Sequence, residues 1–119
     1  MLQLTEVISL AKWAYLGLAI MTEVIATASL KSTEGFTKLW PSIVAVTGYC
    51  LAFYFLSLTL DTIPIGVAYA IWSGVGIALL AIISVIIFDQ KIDLAGAAGM
   101  ALIIAGVVVL RVFSDASVD

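Results

Sequence analysis

The sequence predicts an all-α membrane protein with a single domain of four transmembrane helices spanning residues 1–119. Three observations carry this. Hydrophobic residues make up 64% of the 119 and charged residues only 11%, whereas a soluble domain has about 25% charged. Four apolar runs, Trp13–Leu30, Pro41–Leu60, Ile65–Phe88 and Leu94–Phe113, each come close to the roughly 20 residues a helix needs to cross about 30 Å of hydrocarbon. The connections between them are short, which sets neighbouring helices antiparallel in an up-down-up-down order. Backbone groups in lipid must be satisfied within the segment, and the polar–apolar alternation of barrel strands is absent. Helices are therefore expected at about residues 10–31, 41–60, 64–88 and 94–113.

The first helix carries an acid, Glu23, in the middle of its apolar run. A charge at membrane depth costs at least about 2–3 kcal/mol on insertion scales, so an intramembrane ionisable residue is a functional-site candidate by default. Residues three and four away share its face: Ala19, Ile20, Ala26 and Thr27. That face is mostly small, which leaves room for a ligand and equally suits a helix-packing seam. Ala26-Thr27-Ala28 also fits a small-x-small cleavage site. A cleaved signal is nevertheless not expected, because the glutamate would lie in its apolar region and only Lys12 is basic among the first twelve residues.

Gly35 is a natural stop for the first helix and Pro41 a natural first residue of the second. Cys50, the one cysteine, lies within the second run, forms no intrachain disulfide and is expected to be a small core or lipid-facing residue. Pro64 suits the start of the third helix. There, Tyr69 and Trp72 are spaced i,i+3 and share a face, and aromatic faces attract cations by roughly 0.5–2 kcal/mol. Gly74 and Gly76, two residues apart, are candidates for a kink or hinge. On the fourth helix Gly99 and Gly106 recur at seven residues with Gly96 nearby, a pattern for close helix–helix contact, most simply between subunits. Ser114–Asp119 is a polar tail expected to be mobile.

Several function classes are excluded on residue types. The chain has no histidine, so no ordinary metal site is expected. It has neither a phosphate-binding loop nor a third glycine and preceding strand to make Gly74-x-Gly76 a nucleotide motif. No nucleophile–base pair or cofactor motif supports an enzyme, and a net charge of −3 offers no footprint for nucleic acid. Any work is expected to draw on a proton gradient, with no cofactor. Taking a carboxylate out of water disfavours its charged form. If an organic cation needs the ionised form, cation and proton compete for one group, and a rearrangement exposing it alternately to each side couples their movements.

Orientation is finely balanced. Lys12 and Arg111 lie on the side of the termini and second loop, and Lys31, Lys38 and Lys91 on the other. Since the Lys/Arg imbalance sets orientation, insertion in either sense is open. Four helices leave little interior for a solute site of several hundred Å³, so a homo-oligomer, at least a dimer, is expected.

Three stretches taken together, Ala19-Ile-Met-Thr-Glu23-Val-Ile, Lys31-x-x-Glu34-Gly35-Phe36-Thr37-Lys38-Leu39-Trp40-Pro41-Ser42 and Ile63-Pro64-x-Gly66-Val67-Ala68-Tyr69-Ala70-Ile71-Trp72-Ser73-Gly74-Val75-Gly76, resemble the small multidrug resistance family. The resemblance runs from Trp13 to Phe113 and implies a proton-coupled antiporter of lipophilic and quaternary ammonium cations in the bacterial inner membrane. It also implies an antiparallel homodimer. Carried over by position, Glu23 matches the shared proton and substrate site, Tyr69 and Trp72 the aromatic pair on the substrate, Tyr49 a pocket-lining tyrosine and Thr27 a polar neighbour of the acid. Ala19, Trp13 and Phe53 complete the candidate binding set, and Gly99 and Gly106 match the dimer contact. Ala52 stands where a serine is typical, and Trp13 where a multidrug member has a tyrosine that closes over the pocket. Both bear on substrate range. Ala26 occupies a position where the guanidinium-exporting branch carries tryptophan, which favours the multidrug branch. The alternatives are a narrower guanidinium or polyamine exporter, a proton-conducting membrane subunit, and a structural subunit indifferent to Glu23.

Overall fold

A computed structural model of the chain describes residues 3–115, so the tail beyond Asp115 lies outside the described residues. These residues form four helices and no strand: α1 (Leu4–Ser32), α2 (Leu39–Ser57), α3 (Ile65–Ile86) and α4 (Leu94–Val108), the last running on into a π-helical turn, Val109–Phe113. With that turn included, all four are long and apolar enough to cross a membrane.

The ends differ from the expected ones for local reasons. α1 starts six residues earlier than the apolar pattern implies, at Leu4. Its 29 residues span about 43 Å at 1.5 Å each, more than the hydrocarbon core, so its first turns need not be apolar. The Glu6 carboxylate there accepts from the Gln3 backbone N–H at 3.2 Å. α1 stops at Ser32, before Gly35, because Thr33 gathers the chain around itself. Its hydroxyl donates to the Leu30 carbonyl (2.7 Å) and accepts from the Phe36 N–H (3.2 Å). Its carbonyl takes the Thr37 and Lys38 N–H groups. Between them Glu34, Gly35 and Phe36 all lie at positive φ, a left-handed turn in which glycine is at ease and its neighbours are held by the surrounding bonds. α2 then starts at Leu39, which makes Pro41 its third residue; the missing N–H is still one that no helical partner would take.

α2 ends at Ser57, three residues short of the expected limit. The hydroxyls of Ser57 and Thr59 bond back to the carbonyls of Tyr54 and Leu56 (2.6 and 2.7 Å), and such bonds compete with helix continuation. Pro64 is the cap before α3 and not its first residue. α3 ends at Ile86, where Asp89 turns into the left-handed region. Asp93 caps α4 by accepting the Gly96 N–H at 2.8 Å. Lys12 ties α1 to the α2–α3 turn. Its Nζ donates to the Leu58 carbonyl at 2.7 Å and pairs with Asp61 at 3.2 Å, and that hydrogen bond, with a further one from Thr62, holds the Asp61 carboxyl below the usual carboxylate range.

The helices pack chiefly in the spatial order α2–α1–α3–α4. The core joins α1 to α3 through Leu16, Ile20, Val24, Ala68, Ile71 and Trp72, closed by Ala52 of α2 and Ile63 of the second turn. Ala26 belongs to the α1–α2 seam. A Cβ placed on Gly48 would stand 2.8 Å from the Ala26 Cβ and 3.0 Å from the Thr22 carbonyl oxygen. Gly48→Ala is therefore expected to destabilise the protein by about 1–3 kcal/mol through overpacking, despite the better helix propensity of alanine. Denaturant titration in mild detergent micelles measures it, and an unchanged midpoint would refute the seam.

α4 contributes no buried residue and packs mainly on α3. Gly74 of α3 is the point of closest approach, where a Cβ would collide with Val107 and come within 3.2 Å of Ile103. α3 runs unbroken through Gly74 and Gly76. Gly99 and Gly106 have no neighbouring atom within 4 Å of the Cβ position, so the contact expected of them is not made within this chain.

Candidate functional site

Glu23 sits half-buried on α1, one turn before Thr27. That spacing lets the Thr27 hydroxyl donate to Glu23 Oε1 at 2.7 Å, while the same hydroxyl lies 2.7 Å from Tyr49 Oη on α2. A threonine hydroxyl has one proton. With the carboxylate ionised, the proton order is therefore Tyr49 to Thr27 to Glu23. When Glu23 is protonated the chain can run in reverse, so both states keep a partner. The second oxygen, Oε2, faces α3 at Gly76, where a Cβ would stand 3.4 Å away. Glycine leaves the space beside the acid open.

The acid opens into a cavity of about 300 Å³ lined by Glu23, Tyr49, Phe53, Tyr69, Trp72, Ser73, Gly76, Ile77 and Leu80. Three rings form its wall. Trp72 lies 5.7 Å from Phe53 and 6.3 Å from Tyr69, centroid to centroid and tilted in both cases. Trp72 is only 7% exposed and belongs to the core, whereas Tyr69 and Phe53 are 63% and 60% exposed. The cavity is thus anchored on one side and unfinished on the other. It presents one anionic group opposite π faces, with one further hydroxyl, Ser73, that the sequence reading did not single out. Ser73, Ile77 and Leu80 follow Tyr69 and Gly76 along one face of α3, so helical periodicity from Tyr69 could have found them.

Two candidates stand elsewhere in the single chain. Ala19 is fully buried one turn before Glu23 and does not line the cavity. Trp13 lies ten residues from Glu23, about 15 Å along the helix, and its ring carries the Arg111 guanidinium, 4.5 Å from the centroid. Neither lines the cavity in the single chain, because the helix axis carries Trp13 away and Ala19 is fully buried.

This arrangement, an acid on the first helix facing Tyr69 and Trp72 on the third, coincides with a sequence match over most of the chain. A profile described as Small Multidrug Resistance protein matches residues 11–103. The chain belongs to the small multidrug resistance family. It is 56% identical over 105 residues to the quaternary ammonium compound-resistance protein QacE of Escherichia coli, covering 88% of this chain and 96% of that one. It is 54% identical over 99 residues to a putative ethidium bromide resistance protein of Pseudomonas aeruginosa, covering 83% and 86%. To the multidrug transporter EmrE of Escherichia coli strain K12 it is 50% identical over 102 residues, covering 86% and 93%. As a member of this family with four spanning helices, it is a multi-pass protein of the bacterial inner membrane.

For this family member, Thr27→Val removes the hydroxyl that links Glu23 to Tyr49 and keeps the shape. The carboxylate loses a hydrogen bond to a charged group, worth about 1.5–3 kcal/mol. Tetraphenylphosphonium affinity at a fixed pH is expected to fall about threefold or more, because the carboxylate is no longer held in one orientation beside the rings. Isothermal titration with tetraphenylphosphonium at fixed pH checks this, and an unchanged affinity would remove Thr27 from the site.

Proposed function

We propose that the chain exports lipophilic and quaternary ammonium cations from the cell in exchange for protons, the two competing for Glu23. The observation that carries this reading is a carboxylate held by Thr27, bordering an open cavity whose wall is Tyr69, Trp72 and Phe53. Such a site attracts a large soft cation twice, through the ionised carboxylate and through ring faces that act best on weakly hydrated ammonium groups. Protonation of Glu23 removes the first attraction and releases the cation. The relatives named for quaternary ammonium and ethidium resistance support the same class of substrate.

The working unit is a homodimer, with the subunits antiparallel. The unfinished side of the cavity, the exposed rings of Tyr69 and Phe53, and the uncovered glycines of α4 call for a second copy. Two Glu23 carboxylates would then face one shared site. Of the narrower alternatives, a guanidinium exporter fits less well. Ala26 is fully buried against Gly48, with no room for the tryptophan that the guanidinium branch carries there.

The direct assay uses proteoliposomes with an acid interior. Tetraphenylphosphonium is expected to accumulate inside while the gradient lasts and to leak out when a protonophore collapses it. Accumulation indifferent to the gradient would refute proton coupling, and no accumulation of any quaternary cation would refute the substrate class.

A further inference from the structure

At the end of the helices that holds the start of α1, the α2–α3 turn and the finish of α4 lies a second cavity, of about 240 Å³. Its polar groups are the Arg111 guanidinium and the hydroxyls of Ser9, Thr62 and Ser114, and Trp13 and Pro64 form part of its wall. We propose that this cavity binds the phosphate of an anionic phospholipid headgroup, with Arg111 as its principal ligand.

The first argument is charge. The ion pairs among the described residues are Lys12–Asp61 and Glu34–Lys38, so Arg111 has no carboxylate partner among them. It rests on the face of Trp13. An indole face attracts the positive charge but does not satisfy five N–H donors. Guanidinium groups match the paired oxygens of a phosphate, and the hydroxyl of Ser9 is a donor of the right kind beside it, whereas the Thr62 proton is already given to Asp61. The start of α3 opens onto the same space at Pro64 and Val67, adding the positive end of a 22-residue helix.

The second argument is the backbone. α4 leaves regular geometry where it carries Arg111. Val109–Phe113 is a π-helical turn, closed by the Ser114 N–H on the Val109 carbonyl at 3.1 Å. Such turns are rare and cluster at functional sites. The wider turn alters the direction in which residue 111 leaves the helix axis, and the guanidinium ends over Trp13 at the cavity mouth.

The third argument is depth, which selects lipid over a free anion. The cavity lies at the ends of membrane-spanning helices, where Trp and snorkelling Arg side chains meet the headgroups. Beside it Ile65, Val109 and Phe113 expose apolar surface along which acyl chains can lie. Basic pockets beside spanning helices are a known form of headgroup recognition.

Native mass spectrometry of the full-length protein in non-ionic detergent tests the proposal with three probes: a phosphatidylglycerol, a phosphatidylcholine of the same chains, and inorganic phosphate. Wild type is expected to retain phosphatidylglycerol in preference to phosphatidylcholine. Arg111→Gln should weaken that retention about tenfold or more, the worth of a charge-assisted contact. Arg111→Lys should fall between them, because an ammonium offers a point charge and not a fork, and Ser9→Ala should cost about threefold. Tetraphenylphosphonium binding at the Glu23 cavity reports that each variant is folded. If Arg111→Gln fails that check, the order wild type, Arg111→Lys, then no preference decides the matter through the remaining variants. Equal retention by Arg111→Gln, or by phosphatidylcholine, would overturn the proposal. Inorganic phosphate that displaces the lipid at equal concentration would overturn the lipid as its ligand.

Discussion

Glu23→Gln is expected to abolish proton-coupled export and to leave the fold intact. The amide has nearly the shape of the acid, and its carbonyl can still accept from Thr27, whose hydroxyl lies 2.7 Å from Oε1 in the wild type. What disappears is the charge and the ability to exchange it for a proton. A unit charge pair at about 4 Å with an effective dielectric near 20 is worth roughly 4 kcal/mol before desolvation. After desolvation takes its share, cation affinity is expected to fall by about two orders of magnitude, near 2.7 kcal/mol at 1.36 kcal/mol per tenfold. Isothermal titration with tetraphenylphosphonium measures this. The pH profile is the sharper readout. Wild-type affinity should fall toward tenfold per pH unit once Glu23 takes up its proton, since one proton displaces one cation, and the residual affinity of the variant should be flat. Full resistance to quaternary ammonium compounds in cells expressing the variant would end the antiport reading and leave a structural subunit as the better account.

The second large effect is expected at Trp72, where one side chain serves two purposes. Its indole is nearly buried in the core with Leu16, Ile20 and Ile71, and it forms the inner wall of the cavity against Phe53 and Tyr69. In a bilayer the usual transfer term for a buried aromatic largely vanishes, because lipid tails are as apolar as the protein interior. The packing term stays. A cavity the size of the lost ring, roughly 130 Å³, costs about 3 kcal/mol at 24 cal/mol per Å³ if the walls do not close. Trp72→Ala should therefore lose both stability, by denaturant titration in micelles, and cation binding, by calorimetry. Trp72→Phe separates the two roles. It should restore most of the stability but bind tetraphenylphosphonium about two- to fivefold less tightly than wild type, because tryptophan offers the strongest cation–π face. Wild-type affinity in Trp72→Ala would remove the ring from the site.

These two positions were also the most legible ones. Glu23 announces itself by cost, and Tyr69 and Trp72 by an aromatic pair set well inside an apolar run. Neither inference needs a neighbouring helix. Thr27 was visible as a face neighbour of Glu23, but its bond to Tyr49 was not, since the two are twenty-two residues apart in sequence and meet only when α2 packs on α1. The small face around the acid was ambiguous for the same reason. Ala19 and Ala26 are both fully buried in the single chain, and the room beside the carboxylate comes from Gly76 on another helix. Gly74 and Gly76, alike in the sequence, divide their work, one admitting α4 and the other facing the acid.

The sequence alone determined the number of spanning helices and the class of the fold, because a bilayer accepts only segments that are apolar over their length and satisfy their own backbone. It also determined which helix carries the acid and which the aromatic face, because both are properties of single segments. The tertiary structure decided what those properties add up to. It set the order α2–α1–α3–α4 and tied Glu23 to Tyr49 through Thr27. It also left Phe53 and Tyr69 on an open side and sent Trp13 to Arg111 at the far end of the molecule. Such relations depend on which helix faces meet and at what height, and in this chain the close contacts are set by glycines whose partners lie on other helices.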